Sequence, residues 1–266
     1  MSTSSVPRWL FLAVPVAALI VLAILVLLLF NHPSKDSPLS AQVDQPVPAS
    51  YLASLQAIAQ SSLQSTPTPE PSPLTPISGP SLTQDGKPVI LYIGADFCPF
   101  CASLRWPLTL ALLRFGTFQG LRYMLSSATD VYANTPTFSY YQARYTSPYL
   151  AFQAVETETR KETPLQSPTP VQQQIFTQFN SSGSIPFLYI DGRYLQIGDN
   201  RKGLLTAESW DQVLKTLQDP QSPLYQSVIF RANVYTAAFC LLTGGQPSSV
   251  CQAPGVLAAS RLLPGA

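Results

Sequence analysis

The sequence predicts an α/β domain over residues 81–266, carried by one transmembrane helix at residues 9–30 and a proline-rich linker at residues 31–80. Three observations predict this. Trp9 to Phe30 is a run of 22 residues without a charge. Residues 31–80 hold ten prolines and only four charged residues. From Leu82 onward, short β-branched runs alternate with apolar stripes at helical spacing, the order of a domain that mixes strands and helices.

The apolar run is long enough to cross a hydrocarbon core of about 30 Å as a helix. Pro15 within it is tolerated in a membrane helix. The competing reading, a cleaved signal peptide, calls for an apolar region of only about 7–15 residues. Arg8 and the amino terminus precede the span, and Lys35 and Asp36 follow it. The positive-inside rule then sets residues 1–8 in the cytoplasm and the body outside the cell membrane. The linker has its densest part at Ser65-Thr-Pro-Thr-Pro-Glu-Pro-Ser-Pro-Leu-Thr-Pro76, which favours polyproline II and acts as a stalk. One segment departs from that pattern: Ala49 to Leu63 spaces Tyr51, Leu52, Leu55 and Ile58 as a short amphipathic helix.

Within the body, Pro88 to Ile93 reads as a buried strand. Gly94 to Phe97 breaks it, and Cys98 to Phe115 reads as a helix with Leu104, Leu108, Ala111, Leu112 and Phe115 on one stripe. Pro107 is expected to kink that helix. Further strands are expected at Leu121–Ser126 and Tyr149–Glu158, and a helix at Val171–Phe179. Ile185 to Ile197 reads as a hairpin turning at Asp191-Gly192. Helices follow at Thr206–Leu217, capped by Thr206, and at Ser227–Leu242, which stops at Gly244-Gly245.

Composition narrows the function. Charged residues are 11% of the chain and the net charge is +1, so no basic face is available to track a phosphate backbone, and nucleic acid is excluded as a partner. The one histidine, His32, lies outside the body, which argues against histidine-based zinc sites and against Ser-His or Cys-His catalysis. Four cysteines remain: Cys98, Cys101, Cys240 and Cys251.

Cys98-Pro-Phe-Cys101 opens a helix directly after a strand. Both sulfurs then lie on the first turn, within reach of a short-loop disulfide. The first sulfur faces unpaired backbone N–H groups and the positive end of the helix dipole, which stabilises a thiolate. A thiolate is the species that attacks a disulfide. Cys101, one turn further in, is placed to resolve a mixed disulfide. Pro99 suits the first helical position, where its missing N–H costs nothing. Cys240 and Cys251 flank a turn, and three readings stay open for them: a structural disulfide, a second redox pair relaying electrons to the first, or free thiols. A zinc site built from all four cysteines fits poorly, because ten residues separate the second pair.

The order of strand, C-x-x-C helix, strand, Ile185-Pro186 hairpin and terminal helix resembles the thioredoxin-like superfamily. That resemblance implies a cis bond before Pro186, lying against the active-site pair, with the Ile185 backbone binding an extended substrate. Leu91 to Ala102, Arg105-Trp106, Arg114-Phe-Gly116, Ser127 to Val131, Thr146 to Leu150, Ser184 to Phe187 and Cys240 to Cys251 together resemble a membrane-anchored family catalogued as domain of unknown function 929 (DUF929). Three features depart from thioredoxin. Tyr92 stands where thioredoxin has a buried Asp, and Phe97 where it has a Trp. Asp96 is nearer to the cysteines but is expected to be exposed. The stretch from Phe118 to Ser184 is a long, aromatic-rich insertion between the C-x-x-C helix and the cis-Pro strand, expected to form a private core or a substrate platform.

The resulting expectation is a membrane-tethered thiol–disulfide oxidoreductase acting outside the cytoplasm, first as a dithiol oxidase that makes disulfides. A reductase or isomerase, as in cytochrome maturation, comes second. A non-catalytic peptide-binding module is the rival from another class. Catalysis falls to Cys98 and Cys101, and substrate binding to Ile185 and Pro186. No metal or cofactor is called for. The partners expected are extracytoplasmic protein thiols and disulfides, a membrane redox partner and, through the N-terminal helix, the membrane itself.

Overall fold

The computed structural model describes residues 38–199 and 209–265. The expected N-terminus (1–8) and anchor (9–30) lie outside them. Among the described residues, no helix is long and apolar enough to cross a membrane. After a short 3-10 turn at Pro38–Gln42, the described residues form helix α1 (Ala49–Ser61), strands β1 (Thr75–Pro76), β2 (Thr83–Gln84) and β3 (Lys87–Gly94), and helix α2 (Pro99–Leu113). Strands β4 (Thr117–Gln119), β5 (Arg122–Leu125), β6 (Pro136–Ser139), β7 (Arg144–Thr146) and β8 (Ala151–Glu156) follow, then helix α3 (Pro170–Phe179). The last part comprises β9 (Phe187–Ile190), β10 (Tyr194–Ile197), α4 (Trp210–Thr216), α5 (Pro223–Leu242), α6 (Ser248–Cys251) and α7 (Pro254–Ser260).

The architecture is mixed α/β, around a mixed sheet. Strand β3 is its spine. It pairs in parallel with β8, from Val89 opposite Ala151 to Gly94 opposite Glu156. On its other edge it pairs antiparallel with β9, which pairs with β10, which pairs with β1. A strand held on both edges and covered on both faces needs apolar residues throughout, and this is why Val89 to Ile93 reads as one continuous run. Its side chains divide by alternation. Ile90 and Tyr92 join the core formed with α1, α2 and α5. Val89, Leu91 and Ile93 join the core formed with Ile175 of α3 and Phe187 and Tyr189 of β9.

Most predicted elements are present with shifted ends. Helix α5 starts at Pro223 rather than Ser227, because Ser222 caps it by accepting from the Tyr225 N–H and Pro223 takes the first position. Helix α4 starts at Trp210, with Ser209 and Gln212 in a reciprocal capping box; the expected cap, Thr206, lies outside the described residues. The Asp191-Gly192 turn joins β9 to β10, both residues having positive φ.

The expected stalk requires correction. From residue 38 to residue 80 the chain is packed against the body. Val47 N–H donates to the Leu121 carbonyl and Tyr123 N–H to the Gln45 carbonyl, which lays this segment beside β5. Helix α1 buries Tyr51, Leu55, Ile58 and Ala59. The Tyr51 hydroxyl donates to the Trp210 carbonyl at 2.6 Å, and Gln56 Nε2 to the Leu113 carbonyl at 2.7 Å. The buried Arg114 donates back, to the Ala59 carbonyl and the Ser62 hydroxyl. Prolines forbid long regular elements, but they leave the apolar groups between them free to dock.

The aromatic insertion does not form the private core that was one of its two expected roles. Phe118, Tyr123, Phe138 and Tyr140 are buried in the same core as α2 and α5, not in a core of their own. Trp106 packs on Phe138, and Tyr92 on Tyr140 edge to face. The insertion therefore buttresses α2. Trp106 Nε1 donates to the Pro136 carbonyl and the Thr137 hydroxyl to the Ala102 carbonyl.

Since Leu55 is fully buried, Leu55→Ala is predicted to destabilise the folded body by about 2–5 kcal/mol in chemical denaturation. A helix in a free stalk would give no change.

Candidate functional site

The site forms where β3 ends and α2 begins. Cys98 is the N-cap of α2, in extended backbone conformation, and its sulfur accepts from the Cys101 N–H at 3.2 Å. Pro99 occupies the first helical position. Both cysteines are free thiols, with Cys98 4% exposed and Cys101 fully buried. The partly buried side chains of Phe97, Phe100 and Ile185 pack around them. Tyr132, from the insertion, meets Phe100 edge to face. The Ile185–Pro186 bond is cis, as the resemblance implies. The Ile185 carbonyl accepts from the Cys98 thiol at 4.0 Å. The structure thus brings together all four residues expected at the site.

The two thiols differ in acidity. The Cys98 pKa is lowered from 9.0, chiefly by a hydrogen bond from the Cys101 thiol, and this outweighs the opposing effect of burial. Backbone N–H groups of Cys101 and Phe100 and the Arg105 charge add to it. Cys101 goes the other way: burial and the neighbouring Cys98 push it well above 9.0. The pair is thus a more acidic thiol at the helix cap beside a buried, less acidic one.

Beneath the pair lies a buried ion pair that the sequence did not reveal. Arg105, four residues after Cys101 on the same helix face, is fully buried. Its Nε and Nη2 reach the two carboxylate oxygens of Glu156 at 3.1 and 2.5 Å. Its Nη2 also donates to the Ala95 carbonyl at 2.8 Å, in the break between β3 and α2. Asp96 Oδ1 stands 3.6 Å from the same nitrogen. An isolated cation in an otherwise apolar helix face was the available signal for Arg105. Its partner, 51 residues away across the insertion, left none.

Asp96 corrects an expectation. It is 3% exposed rather than exposed, held by its N–H donating to the Glu158 carbonyl. Burial, with the nearby Glu156, raises its pKa to about 7, against the lowering effect of Arg105. Asp96 also lines a cavity of about 790 Å³ with Arg122, Tyr141, Arg160 and Lys161. Tyr92, on the strand that leads to the pair, is also buried.

Cys240 and Cys251 are joined in a disulfide across the α5–α6 turn. It leaves no four-cysteine set for zinc. The disulfide belongs to the large core, whereas Cys98 and Cys101 form a small separate cluster.

Lowered acidity has a direct readout. Alkylation of the reduced protein is predicted to label Cys98 alone, with a pH midpoint below that of an ordinary cysteine, the rate falling as pH drops through that midpoint. Labelling of Cys101 first, or an ordinary midpoint, would contradict the arrangement.

Residues 74–184 match the family model described as Domain of unknown function (DUF929). The match contains Cys98, Cys101, Arg105 and Glu156 and ends just before Pro186. No curated protein and no solved structure matches the chain.

Proposed function

We propose that this chain, with its DUF929 segment at the centre, is a thioredoxin-like thiol–disulfide oxidoreductase tethered to the membrane, its body outside the cytoplasm and its first role that of a dithiol oxidase. The observation that carries the reading is the asymmetry of the pair: an N-cap thiol of lowered pKa one turn from a buried thiol of raised pKa, beside a cis-proline. Supporting the thioredoxin-like reading is the order β8–β3–β9–β10, with α2 after the central strand and the cis-proline just before β9.

In the oxidised form a disulfide joins Cys98 and Cys101. A substrate thiolate attacks the Cys98 sulfur, the disulfide breaks, and the electron pair leaves on Cys101. A second substrate thiolate then attacks the substrate sulfur of the mixed disulfide, forms the substrate disulfide and returns an electron pair to Cys98. Two electrons pass from the substrate dithiol to the pair. A membrane redox partner restores the disulfide. Stabilising the Cys98 thiolate stabilises the reduced form, and a couple with a stabilised reduced form is a stronger oxidant. This favours the oxidase over the reductase. The Ile185 carbonyl, beside Cys98, accepts from an extended substrate backbone, and Phe97, Phe100 and Tyr132 offer that substrate an uncharged rim.

The test is trapping. Cys101→Ala in the full chain removes the resolving thiol, so Cys98 is predicted to accumulate mixed disulfides with exported proteins, separable on non-reducing gels. The double variant lacking both cysteines is predicted to trap none. Equal amounts from both would refute the reading.

A further inference from the structure

We propose that the Tyr92 hydroxyl is the hydrogen-bond donor that receives the Cys101 sulfur when it leaves as a thiolate, with the Arg105 guanidinium supporting the same charge. The inference rests on the redox reading above and assigns that site a further residue.

Tyr92 is fully buried in β3, on the face that meets α2. Its hydroxyl has no hydrogen-bond partner among the described residues, and neither has Nη1 of Arg105. Two unpaired donors in one buried place are uncommon, since buried polar groups are nearly always satisfied. Both lie near Cys101. A Cβ placed on Gly94 would collide with the Tyr92 hydroxyl and stand 3.1 Å from the Cys101 sulfur, so the hydroxyl fills the space that glycine leaves and lies next to the sulfur. Any larger residue at position 94 would push the hydroxyl out of that place. The Arg105 guanidinium lies 5.6 Å from the centre of the Tyr92 ring, and its charge acts on Cys101.

A thiol is a weak acceptor, and a thiolate is a strong one. The donors unpaired in the dithiol form therefore gain a partner when the disulfide opens and the electron pair moves onto Cys101. Burial holds the Tyr92 phenol well above its ordinary pKa of 10.0, so it lends a hydrogen bond and keeps its proton. Of the two protons released by the substrate dithiol, one ends on Cys101. The other goes to solvent, because Cys98 stays ionised.

The experiment follows disulfide opening directly. The oxidised full chain is mixed with excess dithiothreitol, quenched with acid at intervals, and its free thiols are counted by mass. Tyr92→Phe is predicted to slow opening by about 10- to 100-fold, while the pH midpoint for Cys98 alkylation stays at the wild-type value. Replacing Tyr92 with 3,5-difluorotyrosine, nearly isosteric and a stronger donor, is predicted to speed opening. Wild-type opening in Tyr92→Phe, a shifted Cys98 midpoint in that variant, or no gain from the fluorinated ring would overturn the proposal. Should Tyr92→Phe fail to fold, the fluorinated protein decides alone. A wild-type pair that dithiothreitol cannot open would instead overturn the redox reading itself.

Discussion

The buried ion pair between Arg105 and Glu156 is the constraint around which the site is arranged. It joins α2 to the end of β8, the two elements that flank the β3–α2 break, and its guanidinium also grips the Ala95 carbonyl inside that break. Two charges at zero exposure are costly to desolvate, and only close geometry with further hydrogen bonds offsets that cost. Glu156 has such a bond, accepting from the Tyr140 N–H at 3.2 Å. The pair therefore ties α2 to β8 and to the break, and it is weak evidence for net stability. It also sets a positive charge behind the two sulfurs, in surroundings of low dielectric where it acts strongly.

Around this centre the structure uses parts that resemble accessories in the sequence. The insertion between α2 and β9 supplies β8, which completes the central sheet, and aromatic rings that pack against the back of α2. The proline-rich segment supplies α1, which is fastened to Arg114 just after the end of α2. Both ends of α2 are thus held by segments distant in sequence. A rigid helix start matters for thiol chemistry, because the Cys98 sulfur must stay within reach of the Cys101 N–H for its charge to be stabilised.

Much of the central sheet was legible. The continuous run before the break, the C-x-x-C spacing and the Asp191-Gly192 turn are local signals, and local signals carry strands, caps and turns. The cis bond before Pro186 was legible only through the resemblance. The docking of residues 38–80 was not legible, because proline content describes what a segment cannot form and is silent on what it touches. The exposure expected for Asp96 failed for a related reason. An aspartate beside a break looks solvated, and the backbone bond to Glu158 that holds Asp96 inside is distant in sequence. The orphaned hydroxyl of Tyr92 was beyond the sequence altogether, since the lack of a partner is a property of packing.

The central claim is that this environment makes Cys98 and Cys101 an oxidising couple. The reduction potential of that couple, measured by equilibrating the full chain with glutathione buffers, tests it most directly. The account predicts a value toward the oxidising end of the known range, about −120 mV, where a stabilised thiolate places such a pair. A value near about −270 mV, that of a general reductant, would contradict it.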